Sequence, residues 1–293
     1  MPAVRRLRPP PRRRIKTPDM KPMNFRGRWV LITGASSGLG LEMARLLAKE
    51  HGAHIIAVAR REDRLLALKA ELEGARGVQV LPLIADLTKP GEAARVHAAA
   101  VEGRAVDGVI LNAGVTFFGH VLEQPPESFD TMLATNVTSV VRMSQLFASD
   151  FVKRGGQGSL MLVASTAGFA PLPYQTAYAA TKAFVISFGR GMAQELRKTG
   201  VSVTVFAPGG IATEMLSLSG LDRKFKAGDV GIMSAEACAR IAVDAMVHRR
   251  ELAVPGVLNR FLAMTMKLLP HGFMAQRAAA LYEGGLPKEP PAP

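Results

Sequence analysis

Short apolar runs recur along the chain, separated by longer stretches in which apolar positions return every three or four residues. The runs at 29–33 (WVLIT), 54–59 (HIIAVA), 78–84 (VQVLPLI), 108–111 (GVIL), 160–164 (LMLVA) and 201–206 (VSVTVF) predict six strands, and 252–254 (LAV) a short seventh. Each run is continuous and rich in β-branched residues rather than alternating, as strands covered on both faces are. The stretches between them have helical period; Leu41, Met43, Ala44, Leu46 and Leu47, for example, supply one apolar face. Strand followed by helix, repeated throughout, predicts a single α/β domain: a doubly wound parallel sheet of about seven strands with helices on both faces.

The pattern fails at both ends. Residues 1–24 hold six prolines and a cluster of arginines and cannot bury enough apolar surface to order themselves. They read as a disordered basic arm, or as the result of a start assigned too early, with Met20 or Met23 as the alternative start. No apolar run follows the arginines, so a secretory signal is not indicated. The organisation expected is an arm over 1–24, the α/β domain over 25–255, and a helical extension with a Pro-rich tail over 256–293. Within that extension, residues 259–276 predict one amphipathic helix with a Met-rich face. It would pack on the core or a neighbouring subunit, lie on a membrane surface, or line a lipophilic pocket. Arg260 and Lys267 would each cost about 2.5–3.5 kcal/mol at mid-bilayer, which argues against a transmembrane span.

Charge changes the picture less than its size suggests. The net charge is +13, but residues 1–28 carry ten Arg or Lys against the single acid Asp19. The rest is only mildly basic and has no basic stripe with interleaved aromatics, so no nucleic-acid partner is expected. Cys238 is the only cysteine, which excludes an intrachain disulfide and a cysteine-based zinc site and fits a cytoplasmic, reducing location. The six histidines are scattered, and no metal site is expected.

The first strand runs directly into Thr33-Gly34-Ala35-Ser36-Ser37-Gly38-Leu39-Gly40. A pyrophosphate must lie against main-chain N–H groups at a helix N-terminus, and side chains would hold it away. Glycines at 34, 38 and 40 permit the tight turn and the close approach, and this trio sits between a strand and an amphipathic helix, as a Rossmann-type dinucleotide site requires. The second strand ends in Ala59-Arg60-Arg61-Glu62, with no acid at its tip to bind a ribose 2′-hydroxyl. Arg60 could fork onto a 2′-phosphate instead, with Ser36 as a hydroxyl donor, so NADP(H) is the expected cofactor. The plainer alternative is that Arg60 and Arg61 only solvate the start of the next helix.

Tyr178 and Lys182 are four residues apart on a helical stretch, hence on one face. A free phenol titrates near 10, too high for acid–base work at neutral pH. An ammonium about 4 Å away, at an effective dielectric near 20, contributes roughly 4 kcal/mol, enough to bring the phenol close to 7.

Taken together these motifs resemble the classical short-chain dehydrogenase/reductase family, from about Phe25 to Val254. The matches run in order: the turn at 33–40, Asp86 after the third strand, Asn112-Ala113-Gly114 after the fourth, Asn136, Ser165, Tyr178 with Lys182, and Pro208-Gly209 after the sixth. The resemblance implies a role for each. Tyr178 would give a proton to a substrate oxygen that Ser165 holds in register. Lys182 would bind the nicotinamide ribose and lower the Tyr178 pKa, and Asn136 would position a water for proton relay. Gly34, Ser36, Ser37, Gly38, Leu39, Gly40 and Arg60 would hold the cofactor's phosphates, with Asp86 at the adenine. Asn112, Ala113 and Gly114 would support the ribose region, with Pro208, Gly209 and Thr213 at the nicotinamide. The resemblance also implies a homodimer or homotetramer.

The expected activity is therefore reduction of a carbonyl to an alcohol, or the reverse. Pocket candidates are residues 116–121, 171–176 and a lid over 209–233 containing Met215, Leu216, Leu218, Leu221 and Phe225. Their apolar character favours a lipophilic small-molecule ketone or aldehyde, and peripheral membrane contact is a further expectation. His120 would orient substrate or be an ordinary loop residue. Cys238 is expected buried, on a helix capped by Ser234. The rival reading from another class is an NADP(H)-binding sensor or scaffold without turnover.

Overall fold

The computed structural model describes residues 20–74, 77–218, 229, 231–266 and 269–286. Seven parallel strands form the central sheet: β1 (Trp29–Thr33), β2 (His54–Ala59), β3 (Val80–Ile84), β4 (Val106–Leu111), β5 (Gly158–Val163), β6 (Val201–Phe206) and, as the last in chain order, β9 (Leu252–Ala253). Their spatial order is β3-β2-β1-β4-β5-β6-β9. The order reverses between β1 and β4, and a ligand crevice is expected outside the carboxyl ends of the strands at that point. β1, β2 and β6 have the expected bounds, and the other four strands differ by one or two residues at an end. Gln79 leaves the third strand because its N–H donates to His54 Nδ1 at 3.0 Å rather than entering the ladder.

The continuous apolar strands divide their side chains between two cores. Val30 and Ile32 of β1, Ile55 and Ala57 of β2, and Met161 and Val163 of β5 face one core. Helices α1 (Gly38–Lys49), α2 (Glu62–Glu73) and α8 (Ala235–Val247) close it. Leu31, Ile56, Val58, Leu160 and Leu162 face the other core, closed by α3 (Glu92–Val101), α5 (Ser139–Lys153) and α6 (Thr176–Leu196). Residues i and i+2 share a face, so a strand apolar at every position supplies both layers.

A second, two-stranded parallel sheet was not legible in the sequence. β7 (Gly210–Ala212) pairs with β8 (Ile232–Ser234), in register Gly210↔Ile232 to Ala212↔Ser234. It fixes both ends of the expected lid. A short helix α7 (Glu214–Leu218) follows β7 and contains Met215 and Leu216. Leu221 and Phe225 lie outside the described residues, as do residues 1–19 and 287–293.

Two other expectations are corrected. Residues 20–24, assigned to the arm, lie against the end of α8: Met23 N donates to Val247 O at 2.8 Å, and Arg249 reaches Lys21 O at 3.0 Å. The C-terminal extension is two helices rather than one, α9 (Val257–Thr265) and α10 (His271–Glu283), with Pro270 at the N-cap of the second. Proline has no N–H to donate and its ring excludes the preceding carbonyl, so a helix restarts there and does not run through. Among the described residues no helix is long and apolar enough to cross a membrane. Ser234 caps α8, its hydroxyl accepting from Ala237 N at 3.1 Å, and Cys238 is buried.

Candidate active site

The turn after β1 is shaped by contacts that leave no room for side chains. Gly34 has φ +70°, and a Cβ on Gly40 would stand 2.3 Å from the Gly34 carbonyl oxygen. Thr33 and Asn112 tie the turn to β4. Asn112 N and Ala113 N donate to Thr33 Oγ1 at 2.9 and 3.0 Å, and Asn112 Nδ2 donates to Thr33 O at 3.0 Å. Ser37 is the N-cap of α1, yet its side chain makes no capping hydrogen bond, and the first turn holds no acid. The positive end of the helix thus faces the crevice with main-chain N–H groups uncapped by side chain, which suits a pyrophosphate. Leu39 is buried behind the turn.

The catalytic candidates converge at the carboxyl edge of β4 and β5. Ser165 follows β5 and caps a short 3-10 turn, its Oγ accepting from Ala167 N at 3.1 Å and donating to Pro208 O at 3.4 Å. Tyr178 and Lys182 stand one turn apart on α6, with the Lys182 ammonium 5.7 Å from the centre of the Tyr178 ring. Lys182 is only 5% exposed, and Nζ donates to Val163 O at 2.9 Å. An ammonium has three donors. Among the described residues Lys182 makes this one hydrogen bond, leaving two donors for other acceptors, which fits the hydroxyls of a nicotinamide ribose. A Cβ on Gly114 would come within 3.4 Å of that nitrogen and 3.3 Å of Asn136 Oδ1, so the glycine leaves the lysine its space.

Asn136 sits in a π-helical turn, Ala134–Thr138, between α4 (Pro126–Leu133) and α5. Such single-turn bulges are frequent at functional sites. Its side-chain amide accepts from Val115 N and donates to Val115 O, both at 2.9 Å, and also donates to Thr181 Oγ1 at 3.1 Å. The amide therefore clamps the loop after β4 to α6.

The electrostatics differ from the sequence expectation. Burial pushes the Tyr178 phenol up to about 12, outweighing the Ser165 hydroxyl, which pulls it down. Burial also lowers Lys182 to about 8. The lysine is itself desolvated, and its charge does not offset the burial of the phenol. The lowering of the phenol toward 7 is therefore not a property of these residues alone.

On the adenosine side, Arg60 is exposed and makes no ion pair within 4 Å among the described residues. Asp86 accepts from Thr88 N at 3.1 Å and Thr88 Oγ1 at 2.7 Å, and these bonds hold its carboxyl below the usual range. Arg61, read from the sequence only as solvating a helix start, donates to Ser36 Oγ at 3.1 Å and Ser37 Oγ at 2.7 Å. Sequence reasoning passed over Glu214, which pairs with Arg61. Thr213 packs on the turn, its methyl 3.0 Å from where a Gly38 Cβ would lie. Gly209 is crowded by Asn259, whose Nδ2 donates to Pro255 O at 3.2 Å.

Two of the segments expected to shape a substrate pocket meet beneath α10. Gln175 Nε2 donates to Thr116 Oγ1 at 3.1 Å and Gly119 N to Tyr174 O at 2.9 Å, joining the two loops. α10 covers them: Tyr282 packs on Phe118 at 5.9 Å between ring centres, and Tyr174 Oη donates to Glu283 at 3.1 Å. Tyr282 is near enough to Tyr178 to help raise its pKa. His120 packs edge-on against Tyr174 at 5.1 Å.

A doubly wound parallel sheet with a glycine turn after its first strand is the architecture of a dinucleotide-binding oxidoreductase. A sequence model of the family described as short chain dehydrogenase matches residues 28–224. An uncharacterized oxidoreductase of Myxococcus xanthus is 36% identical over 199 residues, 68% of this chain and 78% of that protein. The probable oxidoreductase EphD of Mycobacterium tuberculosis is 32% identical over 255 residues, 86% of this chain; the chain spans only 42% of that longer relative. A solved short-chain dehydrogenase from Sphingobium yanoikuyae, in complex with NADPH, is 32% identical with a TM-score of 0.74, covering 84% of this chain and 95% of that one. The chain belongs to the short-chain dehydrogenase/reductase family of oxidoreductases.

Proposed function

We propose that this protein reduces a lipophilic ketone or aldehyde to an alcohol, or runs the reverse reaction, with NADP(H). The observation that carries the reading is the buried Lys182 ammonium, held by one main-chain carbonyl and facing Tyr178, beside Ser165. A cation with unspent donors in a desolvated site is costly unless a ligand uses it, and ribose hydroxyls are suitable acceptors.

The bound nicotinamide would supply the hydride. Ser165 holds the substrate oxygen, and Tyr178 gives that oxygen a proton from its hydroxyl. Lys182 stabilises the phenolate left behind and fixes the ribose. Asn136 keeps the loop after β4 in place, and the resemblance assigns it a water for proton relay. The cofactor reading is supported by Arg61 donating to Ser36 and Ser37 of the turn, by Arg60 rather than an acid at the tip of β2, and by the NADPH complex of the Sphingobium relative. Asp86, Asn112, Ala113, Gly114, Pro208, Gly209 and Thr213 would line the rest of the cofactor. Phe118 and Tyr282, packed ring on ring over the joined loops, support an apolar substrate. Phe129, Leu133, Val152 and Phe184 are exposed on α4, α5 and α6 and support assembly into a homodimer or homotetramer through these helices.

The test is NADPH oxidation across aliphatic, aromatic and steroidal carbonyls, run for the wild type and Tyr178→Phe. Turnover of at least one class by the wild type alone is the expected result. NADPH affinity without turnover of any class would leave only a sensor.

A further inference from the structure

Besides Asp86, a second carboxylate reaches the adenosine side of the crevice, and it comes from the segment after β7. Glu214 opens α7, directly after Thr213. Its Oε2 lies 3.0 Å from Arg61 Nη1, and its Oε1 pairs with Arg64 Nη1. The two guanidinium groups hold the carboxyl down to about 2, so it is anionic at any physiological pH. The rest of the Arg61 fork is committed as well. Nε and Nη2 donate to Ser36 Oγ at 3.3 and 3.1 Å, and Nη2 to Ser37 Oγ at 2.7 Å. Residues 36 and 37 belong to the phosphate-binding turn, and Thr213 rests on Gly38 of the same turn. The segment from β7 into α7 is thus strapped across the turn by one methyl contact and one carboxylate clasp.

We propose that Glu214 is a specificity-determining residue that competes with the cofactor's 2′-phosphate for Arg61 and Arg64, coupling recognition of that phosphate to release of α7. The inference rests on the NADP(H) reading above. A guanidinium presents a limited fork of donors, and a carboxylate and a phosphate both seek its planar edge. A dianionic phosphate outcompetes a single carboxylate held by exposed ion pairs, because such pairs are worth little in water. A cofactor without the 2′-phosphate offers no rival anion and leaves the clasp closed. The neutral 2′-hydroxyl of NAD(H) and the 2′-phosphate of NADP(H) would therefore leave the strap in different states. Glu214 acts through Arg61 and Arg64, so it is a positioning residue rather than a catalytic one.

The experiment measures the affinity of 2′,5′-ADP and of 5′-ADP for the full chain by calorimetry, in wild type, Glu214→Gln and Glu214→Asp. Limited proteolysis within residues 209–233 is followed for each complex. Removing the competing charge should tighten 2′,5′-ADP roughly 3- to 10-fold, the size expected for losing two exposed ion pairs. Binding of 5′-ADP should not change, and Glu214→Asp should restore the wild-type value. In the wild type, 2′,5′-ADP should increase cleavage of the strap and 5′-ADP should not; in Glu214→Gln the difference should vanish. If the wild type prefers 2′,5′-ADP but Glu214→Gln leaves that preference unchanged, the competition is overturned and the NADP(H) reading stands. If neither protein distinguishes the two nucleotides, both readings fall together.

Discussion

The Lys182 ammonium lies 5.7 Å from the centre of the Tyr178 ring and 2.9 Å from the Val163 carbonyl oxygen. The lysine therefore faces the aromatic π cloud while β5 anchors it. With the phenol pushed up to about 12, Tyr178 keeps its proton throughout the neutral range and is available as an acid. Use of the same group as a base requires further positive charge beside it.

Replacing Tyr178 with Phe removes the transferable proton and leaves the ring on which Lys182 rests. Turnover should fall by roughly 10²- to 10⁴-fold, the usual weight of a positioned general acid. The dissociation constant for NADPH should stay within about twofold. Steady-state kinetics and fluorescence titration of the cofactor measure the two separately, and equal loss of both would assign Tyr178 a binding role.

Lys182→Met should inactivate the enzyme and stabilise the fold. The lysine's folded-state pKa is about 8, against an ordinary 10.5. Below about 8 both folded and unfolded chains carry the charge, and folding bears the full cost of burying it. Between about 8 and 10.5 the folded state releases its proton first, so stability rises with pH across that window. The variant should accordingly gain about 1–3 kcal/mol at pH 7, with the lost bond to Val163 O offsetting part of the effect. The gain should shrink by pH 10. Urea denaturation at the two pH values reads both numbers.

Arg60→Ala should raise KM for NADPH far more than for NADH. Arg60 is exposed, and its charged neighbour Asp86 is already engaged with Thr88, so the change should not disturb the fold. Equal effects on both cofactors would return Arg60 to the role of a solvated helix start.

Gly40→Ala should abolish cofactor binding and destabilise the protein. The new methyl would stand 2.3 Å from Gly34 O and 2.6 Å from Asn112 Nδ2. The first is main chain and cannot rotate away, so the turn must open. A loss of about 1–3 kcal/mol is expected from such overpacking, read by thermal denaturation beside NADPH titration. The same change at Gly272, where nothing lies within 4 Å, should be silent.

The sequence by itself determined the sheet, the glycine turn after β1 and the shared helix face of Tyr178 and Lys182. Those features are written locally: a strand covered on both faces is apolar at every position, a turn that must admit a phosphate carries glycine, and Tyr178 and Lys182 share a face because a helix repeats every 3.6 residues. What only the tertiary structure decided depends on residues far apart in the chain. Arg61 meets Glu214 across 153 positions, and Tyr174 meets Glu283 across 109; no local period announces either pair. The acidity of Tyr178 was misjudged from spacing for the same reason. A charge four residues away enters a simple Coulomb estimate, but desolvation comes from everything packed around the hydroxyl, and only the folded chain sets that.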